Sequence, residues 1–455
     1  MKTTVLVVPP MTSEERYGPF HRIMGRGNIR PHLGLLSIGA VLKKAGHQVH
    51  LVDGLASQLS PEETAREVLR KSPQVVAITA YSLSVFNAAE IARRVKEASD
   101  RVLTVIGGPH LTAIPEETMA RFESFDVGVI GEGEVSIAEV VEAADVAELR
   151  SIKGLIVRDG ERLHLTGSRP LIADLDSVPF PAWELLEGFP RRYPLKRIRY
   201  RQYPVGDMCT SRGCPCACTF CDKAVFGSCF RTFSASYVIE AIDRLRELFG
   251  VREIMFKDDM IMLKRERLIE ICERLLERYW GLTWTCMGRA DCVDPELLKL
   301  MRKSGCWQIS YGIESGNQAL LDAVHKSLSL EQTEHALEIT REAGISPRAF
   351  FILGLPFETE QTIRRTIDFA KRAPLDDINV GLLTPFPGTR MYAEADAHGT
   401  FERDWRKMNK FRAVFVPFGL TRETLERYLK RFYFEFYGRP NILMKQMRLL
   451  LNRPS

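Results

Sequence analysis

Cys214, Cys218 and Cys221 form a Cys-x3-Cys-x2-Cys triad inside CTSRGCPCACTFCDKAVFG, and six of the ten cysteines of the chain fall between residues 209 and 229. Three thiolates at this spacing can hold a [4Fe-4S] cluster while leaving one iron without a protein ligand, and an open iron can bind a small molecule. Such a cluster is a reaction site rather than an electron store. Gly213 and Pro215 keep the run off a regular helix, so closely spaced sulfurs can turn inward around one cube. A structural zinc site uses four ligands in two separated pairs, and no second Cys-x2-Cys pair or His-rich knuckle follows. Disulfides belong to secreted chains, and Met1 to Val8 has no extended apolar signal region. The spacing therefore favours an iron–sulfur cluster. Cys209, Cys216 and Cys229 stay open between a second metal and ordinary thiols.

A scaffold has to position the triad. From Tyr203 to about Gly388 the runs YPVGDMCT, EIMFKD, LTWTCMGR, CWQISYGIE, RAFFILG and INVGLLT alternate with amphipathic stretches such as SYVIEAIDRLRELF and LIEICERLLERYW. Six such units predict a partial (β/α)6 barrel, whose chemistry belongs at the carboxyl ends of the strands. The triad follows the first strand. Asp258 and Asp259 follow the second, where two acids can orient a polar substrate or accept protons, with a solvated turn as the competing reading. Arg289 ends the third strand, Glu314 and Ser315 follow the fourth in GIESG, and Gly354 and Glu358 follow the fifth in FFILGLPFE.

Upstream, from Val5 to about Ala144, short β-branched runs (VLVV, HQVHLVD, QVVAITA, VLTVIGG, DVGVIG) alternate with helical stretches such as HLGLLSIGAVLKKAG and NAAEIARRVKEA. This pattern predicts a doubly wound, Rossmann-like parallel sheet of about five strands. Its ligand should lie beyond the carboxyl ends of the strands, at the switch in strand order. The segments placed there are Met11–Arg30, Tyr81-Ser82, Gly107-Gly108-Pro109-His110 and Gly131-Glu132-Gly133-Glu134, whose glycines permit close backbone approach to a large flat ligand. The chain thus divides into an α/β domain at 1–145, a connector at 146–200, the barrel at 201–390 and a helical region at 391–455. The connector holds the hairpin GLIVRDGERLHL, with Asp159-Gly160 as its turn, and the proline-rich strap DLDSVPFPAWELL. The C-terminal RYLKRFYFEFYGRPNILMKQMRLLL has the stripe of a helix that packs on the barrel, where it could serve as a lid; a membrane-surface helix would look similar.

Composition narrows the class. With 455 residues, 45% hydrophobic and 27% charged, the chain has the balance of a globular protein with more than one core. No stretch approaches eighteen uninterrupted apolar residues, so no membrane span is expected. The net charge of +5 is spread along the chain and makes no case for nucleic acid.

The run TSRGCPCACTFC resembles the cluster loop of the radical S-adenosylmethionine (SAM) superfamily. The resemblance implies that SAM chelates the open iron and is cleaved reductively to a 5'-deoxyadenosyl radical that abstracts hydrogen from substrate. It also implies that Phe220 lies beside the adenine, although Cys216 stands where an aromatic residue is common. Glu314 and Ser315 resemble residues placed against SAM, and Gly354 and Glu358 resemble the adenine-side motif, although Phe357 replaces a usual glycine; TPFPGT completes the pattern. Arg289 would be a bidentate partner for the carboxylate of SAM, or else a structural ion-pair residue. The order PHLGLLSIGAVLKKAGHQVHLVDG, VIGGPHLTAIPEET, GEGE resembles the cobalamin-binding domain fused to one large radical SAM class, that of the anaerobic magnesium-protoporphyrin cyclase and many C-methyltransferases. Cobalamin contacts are then implied at Gly107, Gly108, Pro109, His110, Gly131, Glu132, Gly133 and Glu134. The Asp-x-His-x-x-Gly motif is absent, so backbone contacts rather than His32 or His110 are expected around the corrin.

Together these features imply a cytoplasmic enzyme that uses a [4Fe-4S] cluster, SAM and cobalamin to methylate a carbon of a small-molecule substrate. Its electrons would come from flavodoxin, ferredoxin or a dedicated reductase. Radical dehydration of a sugar diol or cyclisation is the second reading, and a non-catalytic cobalamin or redox sensor the third.

Overall fold

The computed structural model describes residues 1–24, 27–279 and 281–451. Residues 25–26, in the Met11–Arg30 segment, and residue 280, ending the predicted LIEICERLLERYW helix, lie outside them.

The β-branched runs of the first half form β1 (Thr3–Val8), β2 (Gln48–Asp53), β3 (Val75–Thr79), β4 (Leu103–Gly107) and β5 (Val127–Val129). Val5, Leu6 and Val7 are all fully buried because helices cover both faces of the sheet. Start signals in the sequence fix those helices. His32 Nδ1 accepts the Leu35 N–H at 3.2 Å to begin Leu33–Lys44, and Ser60 with Glu63 makes a capping box ahead of Pro61–Leu69. The strand order is β2-β1-β3-β4-β5 and all pairings are parallel, so the order reverses between β1 and β3.

One expectation needs correction. The hairpin read as part of the connector, β6 (Leu155–Asp159) and β7 (Arg162–Leu165), extends this sheet antiparallel to β5, giving seven strands. β5 has three residues and would be an exposed edge without it. Gly128 in β5 permits the contact, since a Cβ there would lie 2.6 Å from Ile156 Cγ2.

The second sheet is parallel with the order β15-β14-β13-β12-β11-β8, built from β8 (Val205–Met208), β11 (Glu253–Phe256), β12 (Thr283–Gly288), β13 (Cys306–Glu314), β14 (Ser346–Leu353) and β15 (Asp377–Leu382). The intervening ribbon of β9 (Ser211–Arg212) and β10 (Arg231–Thr232) flanks the cysteine loop, and a second ribbon joins β16 (Gly399–Phe401) to β17 (Phe415–Pro417). The six predicted barrel strands are these six.

No hydrogen bonds join β15 to β8, and other parts of the chain close that side. Helix Arg422–Tyr437 lies along the free edge of β15: the Tyr433 hydroxyl accepts from Val380 N–H and donates to Val380 C=O, both at 2.9 Å. The Tyr437 hydroxyl, one turn on, donates to Ile378 C=O at 3.2 Å. Leu425, Leu429, Phe432 and Phe436 bury the other stripe. This is the packing expected of the C-terminal region, but no lid is formed: among the described residues none beyond Asp259 lines the cavity between the domains. The Met11–Arg30 segment contains the helix Ser13–Tyr17 and crosses to the barrel. Phe20 stacks obliquely on Phe411 at 5.3 Å and Tyr433 at 6.3 Å, and Arg30 pairs with Asp207 of β8 at 3.3 Å.

Candidate active site

A cavity of about 690 Å³ opens between the two sheets, where the carboxyl ends of β1, β3, β4 and β5 face the cysteine loop. Gly107, Gly108 and Gly131 form part of one wall, and Cys214, Cys221 and Asp259 part of the other. Gly131 has a φ of +79° and nothing within 4 Å of where a Cβ would stand, so its backbone borders open space. Gly108 does the opposite. A Cβ there would lie 2.8 Å from Thr79 Oγ1 and 3.0 Å from Ala80 C=O, so glycine lets the β4 turn pack on the end of β3.

Both histidines of this wall are engaged by protein groups. His32 lines the cavity, but its Nδ1 caps a helix and its Nε2 lies 3.3 Å from Thr79 Oγ1. His110, expected among the cofactor contacts, points away from the cavity. Its Nδ1 lies 2.9 Å from Ser82 Oγ and its ring packs edge-on against Trp405 at 4.5 Å, and burial holds its pKa at about 4.

The cysteine loop has no regular secondary structure between Gly213 and Cys218. Gly213 has a φ of +84°, and a Cβ on it would lie 2.2 Å from the Cys229 carbonyl oxygen, so no other residue can start this turn. Burial raises the Cys214 thiol to about 11 and the Cys221 thiol to about 12, and in Cys221 the charges of Asp259, Cys218 and Cys214 add to that rise. Three such thiols cannot ionise together without a compensating cation.

The two acids after β11 have different roles. Asp258 is buried and its Oδ1 accepts from Thr210 N–H (2.8 Å), Thr210 Oγ1 (2.7 Å) and Ser211 Oγ (2.5 Å), so it fixes the chain entering the cysteine loop. Asp259 lines the cavity, and burial followed by repulsion from Asp258 raises its pKa.

Of the other expected residues, Phe220 packs in the cluster that includes Leu320, Leu355 and Leu383, joining the cysteine loop to the ends of β14 and β15. Glu314 is held at a φ of +68° and pairs with the buried Lys326 at 2.7 Å. Ser315 is fully buried and its Oγ lies 3.2 Å from Thr366 Oγ1. Glu358 folds its own turn by accepting from the Gly354 and Leu355 N–H groups, and burial raises its pKa to about 8. The Arg289 guanidinium is occupied by Asp291 at 2.8 Å and the Ser327 carbonyl at 3.1 Å, the ion-pair alternative. Phe357 keeps the left-handed backbone of the usual glycine, with a φ of +64°, and points outward at 66% exposure, so it does not narrow the site.

Glu132 and Glu134, expected to touch the cofactor, line the cavity and also join the two domains. Both are buried against Arg212 of β9 and Arg231 of β10: Arg212 reaches Glu132 at 2.7 Å and Glu134 at 2.5 Å, and Arg231 reaches Glu132 at 2.9 Å.

Residues 25–141 match the B12-binding domain family and residues 208–370 match the Radical SAM superfamily. An uncharacterized methyltransferase of Pyrococcus horikoshii is 32% identical over 97% of this chain and 94% of its own length. The chain belongs to the radical SAM enzymes that carry a B12-binding domain. The anaerobic magnesium-protoporphyrin IX monomethyl ester cyclase of Cereibacter sphaeroides is 32% identical over 87% of this chain and 65% of its own length. A radical SAM methyltransferase of Kitasatospora setae, solved with cobalamin and a [4Fe-4S] cluster, shares the fold with a TM-score of 0.71 at 18% identity, over 97% of this chain and 90% of that one.

The residues present fit the cofactors of this family. Cys214, Cys218 and Cys221 provide a donor set whose negative charge needs iron, and the open backbone at Gly131 forms a cradle that a side chain would fill. The family and its relatives support methyl transfer over dehydration, cyclisation or sensing. In this radical SAM enzyme Lys326 was not anticipated. It is a buried cation that faces Cys218 and Glu314, but in the run AVHKSL nothing marks it.

The cradle gives a direct test. Gly131→Leu should fill the open space and reduce cobalamin retained by the reconstituted protein by about tenfold or more, because the added side chain removes close backbone approach. His32→Ala and His110→Ala should leave the absorption spectrum of bound cobalamin unchanged. A shifted spectrum in either variant would place an imidazole on cobalt.

Proposed function

We propose that this enzyme methylates a carbon of a small-molecule substrate held between the barrel and the B12-binding domain. One observation carries the proposal: a single cavity has the cysteine loop as one wall and the glycine-lined strand ends as the other. When bound, the cluster and SAM supply a radical that opens a C–H bond, and cobalamin supplies the methyl group. The chain positions these partners. Gly131 and its neighbours admit the flat ligand, Asp258 holds the entry to the cysteine loop, and Asp259 is the acid in reach of substrate for holding or accepting a proton. Among the described residues no helix is long and apolar enough to cross a membrane. We assign the enzyme to the cytoplasm, with flavodoxin, ferredoxin or a dedicated reductase as electron donor.

Stoichiometry tests the reading. Methylation by this route uses one SAM as methyl donor and one as radical source, so S-adenosylhomocysteine and 5'-deoxyadenosine should accumulate in about equal amounts with product. Consumption of the true substrate with 5'-deoxyadenosine alone would exclude methylation.

A further inference from the structure

Several cations gather on the inner face of the barrel. Along β14 the inward residues Ser346, Arg348, Phe350 and Ile352 are partly exposed, whereas their outward neighbours are buried. A packed barrel core would bury both sets. Cations enter this space from separate pieces of chain: Arg348 from β14, Lys257 after β11, Arg30 from the segment that closes the barrel, Arg199 from the connector and Lys410 between β16 and β17.

Two carboxylates answer these five charges. Asp207 pairs with Arg30 at 3.3 Å and Lys257 at 3.7 Å, and Asp377 pairs with Arg199 at 2.7 Å and Arg348 at 3.1 Å. Lys410 has no ion pair among the described residues. Its Nζ donates to the neutral Asn379 Oδ1 at 2.7 Å. Burial, reinforced by Arg348 and Arg199, lowers its pKa to about 8. Five cations gathered around two carboxylates repel one another, and an anion among them removes that cost. Arg30 lines the interdomain cavity and also contacts Asp207 inside the barrel, so the two spaces meet at that side chain.

We propose that the barrel lumen binds the anionic group of the substrate, a carboxylate or a phosphate or phosphonate, through Arg348, Lys410 and Lys257, leaving the carbon skeleton to extend toward the cysteine loop. The inference rests on the methylation reading only in calling this ligand the substrate.

Pyridoxal 5'-phosphate is a suitable probe for the reconstituted full-length protein. The amine of a lumen lysine adds to the aldehyde and expels water, and cyanoborohydride then delivers hydride to the imine carbon while solvent supplies the proton. Peptide mapping should find Lys410 or Lys257 labelled about tenfold more by pyridoxal phosphate than by 5-deoxypyridoxal, whose aldehyde is equally free but which carries no anion. Inorganic phosphate should suppress the label. Suppression by succinate as well would indicate a carboxylate-accepting site, and suppression by phosphate alone a phospho-specific one; both support the proposal. Arg348→Gln should lose most of the preference for the phosphate form. If that variant does not fold, Lys410→Gln should lower the same preference at Lys257. Equal labelling by the two aldehydes, or labelling that no anion suppresses, would overturn the proposal. The labelling needs no turnover, so a failed coproduct assay would leave this result standing and the two readings can fail separately.

Discussion

Cys218→Ala is expected to strip most of the iron from anaerobically reconstituted protein and to abolish 5'-deoxyadenosine formation, whereas Cys216→Ala should retain both. Outer-shell substitutions at metal sites cost roughly 10–100-fold, so loss of a ligand itself should exceed about a hundredfold. Cys214→Ala and Cys221→Ala should behave like Cys218→Ala. The contrast with Cys216 is the informative part, because all four thiols lie within one eight-residue stretch and a general sensitivity of the loop would affect them alike. Iron content and 5'-deoxyadenosine are the measurements. Full activity in Cys218→Ala would remove the cluster assignment.

Where the sequence was readable, the signal was local. The triad and its glycine act over a few positions, and strands such as β1 and β3 were visible because they are buried on both faces and so read as continuous apolar runs. What was not legible came from contacts made over long distances in the chain. Glu132 and Glu134 sit in a glycine-rich turn that lines the cavity, but their partners Arg212 and Arg231 lie about 80 to 100 residues on, across a domain boundary, and nothing local marks them. The hairpin was correctly read as a hairpin, while its attachment depended on the shortness of β5. The His110 ring is taken by Trp405, from far along the chain, a contact that the local motif does not announce. Lys326, Arg348 and Lys410 carry no motif at all. Their meaning arises only when the barrel closes around them.

The charge network between the domains should therefore be among the most sensitive places in the molecule. Arg212 immediately precedes Gly213 and Cys214, so the ion pairs that dock the B12-binding domain also fix the start of the cysteine loop. Arg212→Ala leaves Glu132 to Arg231 and the Ile172 N–H, but it leaves Glu134 with only the Ser37 hydroxyl at 2.9 Å. A buried carboxylate deprived of its cation costs about 3–5 kcal/mol, and chemical denaturation should register a loss of that order. Cobalamin retention and iron content should fall together, since one side chain serves both walls of the cavity. The double variant Arg212→Met with Glu134→Met removes the orphaned charge along with its partner, and it should recover most of the stability. It should not recover full activity, because an apolar pair has no fork to set the direction of the loop. A loss below about 1 kcal/mol in Arg212→Ala, the range of exposed pairs, would show that water reaches Glu134 and that the network does not hold the two halves together.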